Sequence, residues 1–208
     1  MNANAPRVIG LTGLPSSGKG EVTRILTALA ADRGWRTAQL VFSDQIKEEI
    51  RRRGIPDAQI DREMLSRVGA EMRQAEGPGV LANRIAARIR SWPAPQPELF
   101  IVDGVRHPGE IEVMRRVFAE RFVLASVEAE ASEIARRLIA RRRADESREA
   151  MRSEEDALRV LERELQGKVS ALGPNVGECA RVADARLQNH GTLDDLRRAV
   201  EAFFKSLG

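Results

Sequence analysis

The stretch "RVIGLTGLPSSGKGEV", residues 7 to 22, narrows the choice of fold more than any other part of the chain. Its opening "RVIGLT" is a short apolar run that reads as a buried strand. Gly13, four further residues, then Gly18 and Lys19 follow it. From Lys19 to about Asp32 the residues Val22, Ile25, Leu26 and Leu29 recur at helical spacing, and Gly34 supplies the stop. Strand, glycine loop and helix in that order form a cradle for phosphates. Glycine lets the main chain approach so that successive amides point at phosphate oxygens, the helix start adds its positive end, and the lysine brings a mobile charge to the outer phosphates. Ser16 and Ser17 lie inside the cradle, with Ser17 expected to line it, and Gly20 stands where a hydroxyl normally helps hold magnesium.

The remaining sequence continues the alternation. "RTAQLVF", residues 36 to 42, reads as a second strand, and "SDQIKEEIRRRG" as a helix with Ser43 or Asp44 as its cap and Gly54 as its stop. Residues 58 to 91 read as helical with a break at 76 to 79, and the proline-rich residues 91 to 97 cannot continue a helix. "ELFIVDG" resumes strand at 98, a helix is expected from Pro108 to about Phe118, a strand over 121 to 129, and a helix from Ser132 to Arg142. The charge-dense residues 141 to 167 are expected to be helical from about Ser153, with a mobile tip between Arg143 and Arg152. A weak strand within 181 to 189 leads to a closing helix over 192 to 207. Strands alternating with helices predict an α/β chain, a parallel sheet covered on both faces, with ligands at the carboxyl ends of the strands.

Composition sets the outer bounds. A chain of 208 residues with 42% hydrophobic content suits one domain across residues 1–208. No run of 18 apolar residues occurs and "MNANAPR" lacks a leader's apolar stretch, so the chain reads as cytoplasmic with no membrane partner. The lone Cys179 excludes an intramolecular disulfide and a cysteine-built zinc site. Only four of the 34 basic residues are lysines, which favours forked recognition of phosphates or reflects a bias toward arginine. With 4% aromatic residues, no tyrosine and no RNA-module signature, nucleic acid is not an expected partner, and oligomeric state stays open.

A second signal is "IVDGVRHPGEIE", residues 101 to 112. Asp103 ends an apolar strand, where an acidic residue can hold or orient hydrated magnesium, Gly104 permits a sharp turn, and Arg106 is aimed at the same space. His107 reads as a structural cap. Asp44 follows the second strand, and Lys47, three residues on, shares its helix face. Arg137 and Arg141 are likewise one helix face, with Arg142 and Arg143 behind them.

Taken in order, these motifs resemble phosphate-loop nucleotide kinases related to adenylate kinase and dephospho-CoA kinase. The "IVDGVRHPGEIE" stretch is closest to an uncharacterised archaeal family of predicted nucleotide kinases. Adenylate kinases end their loop Gly-Lys-Gly-Thr, which accommodates Gly20. Glu21 replaces the threonine, and its carboxylate either aims away or opposes the phosphates. The resemblance implies a three-layer α/β/α P-loop NTPase fold with a helical acceptor-binding region over 44–95 and a lid over about 137–168. It implies ATP and Mg2+ as cofactors, with ATP on Gly13, Ser16, Ser17, Gly18, Lys19, Gly20, Glu21 and, through the closing "LQNHGTLDDLR" signature, Asn189. Asp103 serves the metal. The acceptor falls to Asp44, Lys47, Arg73 and Arg106, Lys47 replacing a phosphate-binding arginine. The catalytic set is Lys19, Asp44, Arg106, Arg137 and Arg141, with Arg163 as a further lid cation.

The implied activity is ATP-dependent phosphoryl transfer to a small phosphate-bearing acceptor, foremost a nucleoside monophosphate. Two alternatives stand beside it. One is dephospho-CoA kinase-like transfer with Asp44 as general base. The other is a non-kinase nucleotide-dependent switch, which would show steeply salt-dependent nucleic-acid binding if it used its arginines that way.

Overall fold

The computed structural model describes residues 5–143, 155, 158–159, 161–162 and 172–207. Five parallel strands, β1 (Arg7–Thr12), β2 (Thr37–Val41), β3 (Leu99–Val105), β4 (Phe122–Glu128) and β5 (Ala185–Gln188), stand in the order β2-β3-β1-β4-β5. The order reverses about β1, so the crevice above its carboxyl end is where a sheet of this kind takes a ligand.

Period-two alternation along the strands sorts the core into two layers. Val8, Phe100, Val102, Phe122 and Leu124 face one side. There they meet α2 (Phe42–Arg52), α3 (Arg62–Glu76), α4 (Val80–Arg90) and α5 (Pro108–Phe118). Ile9, Leu11, Leu99, Ile101 and Val127 face the other side, against α1 (Lys19–Asp32) and α8 (Leu193–Ser206). A third cluster joins Leu14 of the glycine loop to Ile134, Ala135 and Leu138 of α6 (Ala131–Arg143) and to Val176 of α7 (Val176–Arg181). Burying each such side chain contributes about 1.5–3 kcal/mol, so the root of α6 is fastened to the loop by packing.

The structure differs from the sequence expectation in two elements. Helix α2 starts at Phe42 behind Val41, with no side-chain cap, so neither Ser43 nor Asp44 caps it. Phe42, only 2% exposed, is drawn into the core and pulls the helix start forward. Residues 176–181, to which the sequence reading assigned no element, form α7, capped by the Asn175 side chain accepting from Glu178 N at 3.1 Å. No helix among the described residues is long and apolar enough to cross a membrane.

Candidate active site

The glycine loop owes its shape to two positions. Gly13 has φ +141 and Gly18 has φ +109, both in the region that disfavours side chains. A Cβ at Gly13 would stand 2.5 Å from the Val127 carbonyl oxygen, and one at Gly18 would stand 2.3 Å from Asn189 Nδ2. Asn189 is buried here: Nδ2 donates to Ser17 O at 2.8 Å and its own amide donates to Glu128 O at 2.6 Å. The closing loop is thus tied directly beneath the cradle. Ser17 is 1% exposed, and Ser17 Oγ, Thr12 Oγ1 and Thr23 Oγ1 are buried polar atoms with no hydrogen-bond partner among the described residues.

Lys19 folds back on the loop, Nζ donating to Gly13 O and Leu14 O at 2.9 Å each. Burial lowers its pKa from 10.5 to about 8, the positive fields of Arg106 and Arg62 act in the same direction, and Asp103 opposes them. These four charges therefore share one space. The Glu21 carboxylate accepts from Arg24 Nε at 3.1 Å, one helical turn along α1. The pairing follows from i,i+3 spacing on a helix.

At the end of β3 the pairing with β1 slips. Leu11 faces Asp103 but Thr12 faces Val105, leaving Gly104, at φ +87, as an extra residue. A bulge of this kind re-aims the side chains on either side of it. Asp103 Oδ1 is buried with no hydrogen-bond partner among the described residues. Burial also lowers the Arg106 pKa, countered by Asp103 and Glu110. His107 caps α5 as expected, Nδ1 accepting from Gly109 N at 3.1 Å.

Arg73 faces inward. It is 4% exposed; Nη2 donates to Glu110 Oε1 at 2.7 Å and Nη1 to Leu172 O at 3.2 Å. Its Nη donors are committed to Glu110 and the Leu172 carbonyl within the fold, while Nε is buried with no hydrogen-bond partner among the described residues. Asp44 and Lys47 form an ion pair of 2.9 Å on half-exposed side chains at the start of α2. Arg137 bonds Glu133 at 3.0 Å, and both line a cavity of about 320 Å³ with Asn189, Arg136 and His190. The Arg141 side chain, Arg163 and the 144–152 tip lie outside the described residues.

Sequence reading missed Arg62 and Glu110. Arg62 is the first residue of α3, behind the Asp61 cap. A cation there opposes the helix dipole, and its field reaches Lys19. Glu110 stands three residues after the His107 cap, the position of a capping-box acid.

No family model matches the chain. A UPF0200 protein of Methanothrix thermoacetophila is 31% identical over 201 residues, covering 97% of this chain and 98% of its own. The chain belongs to the UPF0200 family. A second UPF0200 protein, from Pyrococcus abyssi, is 27% identical over 96% of both chains. Among solved structures, TT1252 from Thermus thermophilus superposes with a TM-score of 0.59 at 22% identity over 98% of each chain. A shikimate kinase from Bacteroides thetaiotaomicron gives 0.60 at 12% identity, over 97% of this chain and 98% of that one. The UPF0200 chain thus carries the three-layer P-loop fold, a five-stranded parallel sheet flanked by helices.

Proposed function

We propose that this UPF0200 protein transfers the γ-phosphoryl group of ATP to a small acceptor that itself bears a phosphate, foremost a nucleoside monophosphate. The observation that carries the proposal is the convergence of Lys19, Asp103 and Arg106 above a glycine loop, at the carboxyl ends of β1 and β3. Phosphoryl transfer asks an enzyme mainly for positioning and charge stabilisation, which this cluster can provide. A kinase among the solved structures of this fold supports the same chemistry.

Loop amides and Lys19 hold the β and γ phosphates, and Asn189 keeps the loop in shape from below. The cavity by Arg137 and Asn189 takes the nucleoside end of ATP. Arg106, with Lys47 farther out, grips the acceptor phosphate. An acceptor oxygen then bonds to the γ phosphorus as the bond to the β–γ bridging oxygen breaks, and ADP leaves with that electron pair. The orphan Asp103 Oδ1 fits a magnesium ion, which would neutralise charge on the β and γ oxygens when bound.

A hydroxyl acceptor is the second reading, favoured by the Asp44 carboxylate held at 2.9 Å by Lys47 beside the carboxyl end of β2. Asp44 would then be the general base. ADP release from MgATP with each nucleoside monophosphate, or dephospho-CoA, added singly separates the two. Release with monophosphates and not with dephospho-CoA supports the first; no acceptor-dependent release with either removes both.

The depressed Lys19 pKa makes nucleotide binding sensitive to pH. Ligand-free, Lys19 loses its proton at about 8. Bound phosphates favour the charged form, so binding takes up a proton above that pH and weakens as pH rises. Affinity for a non-hydrolysable ATP analogue is expected to be flat from pH 7 to 8 and to fall by roughly tenfold per unit above it. Calorimetric titration across that range checks this, and a flat profile to pH 9.5 would contradict it. The sign for the ligand-free fold is opposite: the unfolded chain binds more protons between about 8 and 10.5, so this group's contribution to stability rises with pH over that window.

A further inference from the structure

Glu110 is 0% exposed and satisfies three donors at once. Oε2 accepts the amides of Arg106 and His107 at 2.9 and 3.1 Å, and Oε1 accepts Arg73 at 2.7 Å. Arg73 reaches on to the Leu172 carbonyl, and Asn175 N donates to Arg106 O at 2.6 Å. The turn that carries Arg106 is therefore held from two sides: by α3 through a buried ion pair, and by Asn175 through a main-chain hydrogen bond to the Arg106 carbonyl. Packing closes the corner. A Cβ at Gly109 would stand 2.7 Å from Pro78 Cβ, and one at Gly79 would stand 2.4 Å from Val113 Cγ2.

A buried pair of this kind is seldom kept for stability, because well-packed apolar residues of equal volume commonly do as well. Nor does a helix cap require it, since an exposed acid caps a helix for about 1 kcal/mol without any arginine behind it. We infer that Arg73 and Glu110 are positioning residues: Arg73 fixes the rotamer of Glu110, and Glu110 fixes the main chain from which Arg106 and Asp103 reach the transferred group. The inference deepens the kinase reading and rests on it for its catalytic arm. It also gives the inward-facing Arg73 a task, performed through Glu110 rather than on a ligand.

The test compares the parent with Arg73→Lys and with the paired neutral isosteres Arg73→Met and Glu110→Gln. The pair leaves no uncompensated buried charge, so it is expected to fold. Hydrogen exchange at the Arg106 and His107 amides should quicken by about tenfold in the paired variant, with the Gly18 to Val22 amides unchanged. Acceptor-dependent kcat should fall by about 100-fold, the cost of misplacing a reacting group by around an ångström, with KM for ATP unchanged. Arg73→Lys, which keeps the charge, should recover part of both. A paired variant that melts like the parent and keeps its exchange rates and kcat overturns the inference, as does one that no longer folds. If the parent itself turns over no acceptor, the kinase reading fails and the exchange rates alone decide the positioning role.

Discussion

Alanine in place of Gly13 is expected to abolish ATP binding while leaving the fold intact. The added methyl meets two obstacles. At φ +141 the main chain is in a region where a side chain costs about 1–3 kcal/mol. The Cβ would also stand 2.5 Å from the Val127 carbonyl oxygen, on a strand paired to β1 on one side and β5 on the other. A main-chain atom so held cannot yield, so the loop must. Once the loop moves, its amides no longer point at the phosphates, and affinity for a non-hydrolysable ATP analogue should drop by at least about 100-fold, or roughly 2.7 kcal/mol. Gly20→Ala is the matched control, because nothing lies within 4 Å of a Cβ there. Calorimetry should show the control binding as the parent does; equal loss in both would mean the Gly13 geometry is not what shapes the cradle.

Arg106→Ala is expected to lower kcat/KM for the acceptor by about 1,000-fold with little change in ATP affinity, the scale on which a transition-state arginine acts. Its neighbours give the reason. The guanidinium is held near Asp103 and Lys19, so its charge falls where negative charge develops. Lysine should restore little, since a point charge does not reproduce a fork on two phosphate oxygens. A second readout is independent of turnover. Arg106 helps depress the Lys19 pKa, so its removal should shift the break in the pH profile of ATP binding above 8. An unmoved break would place the guanidinium outside the field of Lys19.

Features governed by local geometry were legible from sequence. Gly13, Gly18 and Lys19 announce a cradle because their spacing and the flanking strand and helix are all contained in residues 7 to 32. The Asp-Gly-x-x turn at 103 to 106 was legible for the same reason, although its cause, a slip in the β1–β3 register, involves a partner strand some 90 residues away in sequence. Arg73 was not legible. Periodicity puts it on an amphipathic helix but cannot say that Glu110, on another helix, turns it inward. Helix α7 escaped because six residues give too few turns for a pattern. Glu21 had its answer in reach, since Arg24 lies three residues on along the same helix.

The most direct test of phosphoryl transfer is a phosphorus NMR spectrum of the protein with MgATP and one nucleoside monophosphate at a time. The account predicts ADP together with a new diphosphate pair of resonances on the acceptor, absent from the Arg106→Ala variant. Inorganic phosphate as the sole product with every acceptor would contradict it, showing hydrolysis without transfer.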